Sequence, residues 1–146
     1  MMPDKAIILQ AEDSEDDAFL CQRALEKIGG LRHRCVHVHD GEQCIKYLSG
    51  DEPYSDREKF PLANLLLLDL KMPVLSGFDV LEWLHKRPQF NALPVIILSG
   101  SEWEEDRKRA LSKGAKEYQI KPIDSAELVR VMEAIGSRWL KPPIGG

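Results

Sequence analysis

Five residues of this chain have the types and spacing for phosphoryl chemistry: Glu12 and Asp13 in "AEDSEDD", Asp69 in "LLLLDLKMP", Ser99 in "PVIILSGS", and Lys121 in "KEYQIKP". Each stands at or just beyond the end of a short apolar run. If those runs are parallel strands, their carboxyl ends share one edge of a sheet, where open α/β folds bind ligands. Three carboxylates brought together there repel one another unless a cation neutralises them. A hard divalent ion is the natural partner, and Mg²⁺ takes one or two protein carboxylates and completes its shell with water and phosphate oxygens. Asp69 could then attack phosphorus to give an aspartyl phosphate. Lys121 would pair with the phosphate charge, and the Ser99 hydroxyl would donate to a phosphoryl oxygen.

The elements that must position these groups follow from the hydrophobic pattern. "KAIILQ", "RCVHVHD", "LLLLDL", "PVIILS" and "KEYQIKP" read as strands, each followed by an amphipathic stretch, which is the pattern of repeated βαβ units around a parallel sheet. The first helix, in "SEDDAFLCQRALEKIGG", is expected to take Ser14 as its cap. Phe78, Leu81 and Leu84 form the apolar stripe expected of the third, with Val80 and Trp83 at its margins. Ser101 with Glu104, and Asp124 with Glu127, have the spacing of capping boxes for the last two. Residues 49–64 are polar and interrupted by Pro53 and Pro61, and read as a long surface loop.

With 146 residues, the chain is expected to form one domain, residues 1–146, with a core over about 5–140 and a loose tail at 141–146. Its 20 basic and 24 acidic residues leave a net charge of −4 with no basic block, which argues against nucleic acid as a partner. No apolar run approaches the roughly 20 residues that cross a bilayer, so no membrane association is expected. Cys21, Cys35 and Cys44 lack metal-ligand spacing and read as buried free thiols of a cytoplasmic protein. His37 and His39 would share one strand face, and without a third ligand nearby they read as an edge-strand pair.

"AEDSEDD", "LLLLDLKMPVLSGFDVL", "PVIILSGS" and "GAKEYQIKP", in that order and spacing, resemble the four signatures of the receiver domain of two-component response regulators. The resemblance spans about residues 5–140. It implies a flavodoxin-like, doubly wound α/β fold whose five-stranded parallel sheet has the order 2-1-3-4-5, with five helices. It makes Asp69 the phosphoacceptor, with Glu12, Asp13, Asp69 and the backbone carbonyl of Lys71 holding Mg²⁺. It also makes Ser99, Gly100 and Lys121 the phosphate-binding residues, Ser99 and Tyr118 the switch pair, and Pro122 the second residue of a cis peptide. Ser99, Gly100 and Ile123 stand where the family more often has Thr, Ala and Phe.

The partners so implied are a sensor histidine kinase or phosphotransfer protein and a downstream protein target, with a homodimer left open. The long loop before the third strand is similar to that of small stand-alone receivers serving phytochrome-type kinases. The expectation is a phospho-accepting signalling domain rather than an enzyme, catalysing at most its own phosphotransfer and slow dephosphorylation. The alternative is a receiver-fold docking module that acts largely without phosphorylation. A phosphatase of the haloacid dehalogenase type would need a second acid where this chain has Lys71, and no GxxxxGK[ST] loop is present.

Overall fold

The computed structural model describes residues 5–140. The expectation for the tail at 141–146 lies outside the described residues. In chain order the elements are β1 (Ala6–Ala11), α1 (Glu15–Glu26), β2 (His33–Val38), α2 (Gly41–Ser49), β3 (Leu65–Leu68), α3 (Gly77–His85), a 3-10 turn (Pro88–Phe90), β4 (Val95–Ser99), α4 (Glu104–Ser112), β5 (Glu117–Ile120) and α5 (Ser125–Trp139). The strands pair in parallel in the order β2-β1-β3-β4-β5, as the family resemblance implies.

β3 is a run of four leucines because both of its faces are covered, as parallel sheets require. Leu66 and Leu68 point into the core shared with α2 and α3, alongside Leu9, Val80, Leu81 and Ile97. Leu65 and Leu67 point the other way, into the core shared with α1 and α5, alongside Ile8, Leu25, Ile96 and Met132. Fully burying each leucine contributes about 1.5–3 kcal/mol, so the strand is fixed firmly in place. The next residue, Asp69, inherits that fixed position, and its amide donates to the Ala11 carbonyl at 3.1 Å.

The chain turns sharply after Asp69. The Gly77 amide donates back to the Leu70 carbonyl at 2.9 Å, and a Cβ at Gly77 would stand 2.3 Å from the Asp69 carbonyl oxygen. Only glycine permits that approach. Within the same turn Val74 has φ +66°, a left-handed conformation that a β-branched residue rarely adopts.

Several local expectations are corrected. Ser101 does not cap α4, because its hydroxyl donates to Asp106 at 2.7 Å and accepts from the Trp103 amide at 3.3 Å. The helix therefore begins later, after Trp103, without a side-chain cap. Asp124 caps α5 through the Ala126 amide at 3.2 Å, but Glu127 turns outward to Arg130 instead of closing a box. On α3, Val80 is fully buried while Phe78 is only half-buried, its ring covered by the Arg109 guanidinium of α4 at 3.9 Å.

The segment between α2 and β3 is pinned to the domain. Tyr47, Tyr54 and Phe60 pack ring to ring, and the Tyr47 hydroxyl donates to the Pro61 carbonyl at 2.6 Å. Arg57 donates to the Phe60 and Leu48 carbonyls, each at 3.1 Å.

Candidate functional site

The carboxyl ends of β1, β3, β4 and β5 bring Glu12, Asp69, Ser99 and Lys121 to one edge, as their positions after the apolar runs require. Carboxylate oxygens of Glu12, Asp13 and Asp69 lie within 4.8 Å of one another. Glu12 and Asp69 are buried, whereas Asp13 opens to solvent. Octahedral ligands about 2.1 Å from a magnesium ion stand up to about 4.2 Å apart, so a small closure of this oxygen-only set fits a hard divalent cation.

Glu12 is held in the acidic turn from two sides. One carboxylate oxygen accepts from the Ser14 amide at 3.0 Å, and its backbone carbonyl lies 2.7 Å from His37 Nε2. Ser14 caps α1 as expected, accepting from the Asp17 amide at 3.2 Å. His37 and His39 lie on the edge strand β2, their ring centroids 4.3 Å apart, and His39 reaches Glu15 at 3.1 Å. His37 thus braces the acidic turn.

Among the described residues, one cation is paired with these acids. Lys121 Nζ lies 2.7 Å from Glu12 Oε1, 2.9 Å from Asp17 Oδ2 and 3.2 Å from Asp69 Oδ2. Partial burial acts to lower the lysine pKa, but hydrogen bonds to Glu12 and Asp17, reinforced by the Asp69 charge, hold it above its ordinary value. A single ammonium does not balance the acids around it: burial, with the Asp69 charge added, pushes the Glu12 carboxyl up to about 7 despite its bond to Lys121. Among the described residues the site is short of positive charge.

On the β4 side, Ser99 Oγ accepts from the Ser101 amide at 3.1 Å, and the Lys121 amide donates to the Ser99 carbonyl at 2.8 Å. Tyr118 is half-buried, its hydroxyl donating to the Ser101 carbonyl at 2.8 Å. Gly100 is exposed, with nothing within 4 Å of where a Cβ would stand. The Lys71 amide lies 3.5 Å from Asp69 Oδ1, and its side chain is exposed. The expected cis bond before Pro122 is absent: the one cis peptide among the described residues precedes Pro53. A prolyl amide prefers trans by only about 0.5–1 kcal/mol, so local context chooses the isomer, and here Lys121 reaches the acids across a trans bond.

Two residues of the site escape a reading by strand ends. Asp17 lies on α1 rather than at a strand end, and its partner is 104 positions away. Ser101 looks like a helix cap but links Ser99, Tyr118 and the first turn of α4. Its adjacency to Ser99 was the available signal.

Residues 8–133 match the response regulator receiver domain family. The chain belongs to that family. It is 34% identical over 137 residues to the probable methanogenesis regulatory protein FilR2 of Methanothrix harundinacea, covering 94% of this chain and 85% of that protein. Response regulator Rcp1 of Synechocystis is 31% identical over 135 residues, covering 92% and 89%. The Mn²⁺-bound structure of Rcp1 superimposes with a TM-score of 0.82 at 29% identity, over 93% of this chain and 95% of that one. The phosphorylated cyanobacterial phytochrome response regulator RcpA gives 0.85 at 28% identity, over 95% and 99%. As a response regulator receiver, the chain is a component of two-component signalling. No helix of the described residues is long and apolar enough to cross a membrane.

Proposed function

We propose that the protein is a single-domain response regulator, residues 1–146, in which Asp69 accepts a phosphoryl group from a phosphohistidine of a sensor histidine kinase or phosphotransfer protein. The observation that carries this reading is the crowding of Glu12, Asp13 and Asp69 oxygens within 4.8 Å beside the ammonium of Lys121. That arrangement is costly for a folded chain unless a cation completes it, and a cation so held is ready to meet the negative charge of a phosphoryl group.

An Asp69 carboxylate oxygen forms the O–P bond while the P–N bond breaks. The imidazole nitrogen keeps the bonding pair and leaves as neutral imidazole when its other nitrogen carries a proton. Glu12, Asp13, Asp69 and the Lys71 carbonyl would hold Mg²⁺, which neutralises charge on the transferred group. Lys121 pairs with a phosphoryl oxygen, and Ser99 and the Gly100 amide donate to the others. Turning Ser99 toward phosphate would weaken its bond from the Ser101 amide and so loosen the loop that Tyr118 holds through the Ser101 carbonyl. Tyr118 is therefore the second member of the switch.

The signal leaves by protein contact. The long coverage of Rcp1 and RcpA supports a stand-alone regulator, and exposed Trp103, Ile120 and Ile123 offer apolar surface beside α4, β5 and α5 for a downstream target or a second copy. The three free cysteines suit a reducing cytoplasm. Incubation with Mg²⁺ and phosphoramidate tests the reading: one hydroxylamine-sensitive phosphate should appear on the wild type and none on Asp69→Asn. Equal labelling of the two would overturn it.

A further inference from the structure

The ammonium of Lys121 has three N–H bonds and three carboxylate partners, two of which, Glu12 and Asp69, belong to the acidic cluster suited to a metal. Asp17 is the third, and it stands outside that cluster. Its backbone is fixed by the Ser14 cap at the start of α1, so its carboxylate approaches the lysine from the helix side of the crevice. The partners are thus not equivalent once the site fills. A divalent cation among Glu12, Asp13 and Asp69 draws their lone pairs to itself and repels the neighbouring ammonium. A phosphoryl group on Asp69 then removes the lysine's longest contact, at 3.2 Å. Only Asp17 is untouched by both events.

We propose that Asp17 is a positioning residue for phosphotransfer, which keeps Lys121 aimed at Asp69 while the metal and the incoming phosphoryl group draw its other partners away. The proposal rests on the reading of Asp69 as phosphoacceptor and assigns a role to an acid from which the strand-end pattern asks nothing. Asp17 touches neither metal nor phosphate and acts only through the lysine. Its effect therefore belongs in the rate of labelling and in the order of the Lys121 side chain, not in metal affinity. Asp16, its exposed neighbour, has no such contact.

The test compares wild type, Asp17→Ala, Asp17→Glu, Asp16→Ala, Lys121→Ala and the Asp17→Ala/Lys121→Ala double variant. Each is loaded with Mg²⁺, labelled with phosphoramidate, and examined by nitrogen-15 NMR of the lysine ammonium groups. Losing one charge-assisted hydrogen bond to a half-exposed partner should slow labelling of Asp17→Ala about tenfold. Mg²⁺ affinity should stay within about twofold of wild type, and Asp17→Glu should recover part of the rate. Asp17→Ala should also broaden the Lys121 ammonium signal seen in the Mg²⁺-loaded wild type, and should add nothing to the defect of Lys121→Ala. An unchanged labelling rate and ammonium signal in Asp17→Ala, beside a labelled wild type, would overturn the role of Asp17 alone. A tenfold loss of Mg²⁺ affinity, or an additive defect in the double variant, would overturn it as well, by making Asp17 part of the metal site or of the general fold. A wild type that takes no label would instead overturn the reading of Asp69 and the proposal built on it.

Discussion

Two carboxylate sites sit at opposite ends of the sheet. At the amino end of β5, Glu117 accepts from Arg138 through both Nε and Nη2, at 2.5 and 2.6 Å, from Trp139 Nε1 at 2.6 Å and from Gln119 at 2.9 Å. The Arg138 bonds lead, with Trp139 and Gln119 behind them, and together they outweigh burial to hold the Glu117 carboxyl down at about 2. At the carboxyl end, Glu12 is pushed the other way, to about 7, chiefly by burial. The same residue type thus serves two purposes. Glu117 has every partner it needs and ties the end of α5 to the sheet, whereas Glu12 shares one ammonium with Asp17 and Asp69 and is left wanting a cation. A satisfied carboxylate stabilises a fold; an over-supplied group of them holds free energy for a ligand to release.

The contrast is broken most directly with metal. At 100 times its dissociation constant, Mg²⁺ should stabilise the wild type by about 2.7 kcal/mol. Thermal unfolding should show that gain reduced to near zero in Asp13→Asn, while Glu117→Gln keeps it in full. Equal responses in the two variants would mean that the ends do not differ as described.

The next effect is at Glu117 and carries a sign. Its folded pKa is depressed, so its contribution is complete above the ordinary value of 4.5 and disappears as pH falls toward about 2. Half of the Arg138 side chain is exposed, which limits the contribution to about 1–2 kcal/mol. Glu117→Gln should therefore be less stable than wild type at pH 7, with the difference closing between pH 4.5 and 2. Denaturant unfolding across that window checks it.

A smaller effect of opposite sign is expected where acids are in excess. Without metal, Asp13→Asn should be more stable than wild type by up to about 1 kcal/mol, because it removes repulsion near a solvent-exposed position. An effect of similar size concerns strain, which is also found at the site end. Val74→Gly should stabilise by about 0.5–1 kcal/mol, the left-handed penalty at φ +66° less the extra chain entropy of glycine. A lower midpoint for Val74→Gly in denaturant would contradict that.

How far the sequence reveals this site depends on where each contact is made. The leucines before Asp69 and the apolar runs before Glu12, Ser99 and Lys121 announce both the sheet and its working edge, because strand burial and strand ends are local properties of the chain. Asp17 gives no such sign: in isolation it is a favourable first-turn acid, and only the crossing of α1 past the β5–α5 turn gives it Lys121. Ser101 and Glu104 have capping-box spacing, yet the serine is bonded to Asp106 and α4 starts without it. Pattern alone could not reveal that competition. The segment at 49–64 looks like a free loop because its anchors are Tyr47, in the preceding helix, and the backbone acceptors of Arg57.

We propose above that the acid-rich end takes a phosphoryl group on Asp69. Intact-protein mass spectrometry after incubation with Mg²⁺ and phosphoramidate tests it in one step. A single phosphoryl adduct is expected on the wild type, removed by hydroxylamine, absent from Asp69→Asn and undiminished in Glu117→Gln. An adduct of equal yield on Asp69→Asn, or none on the folded, Mg²⁺-loaded wild type, would contradict it.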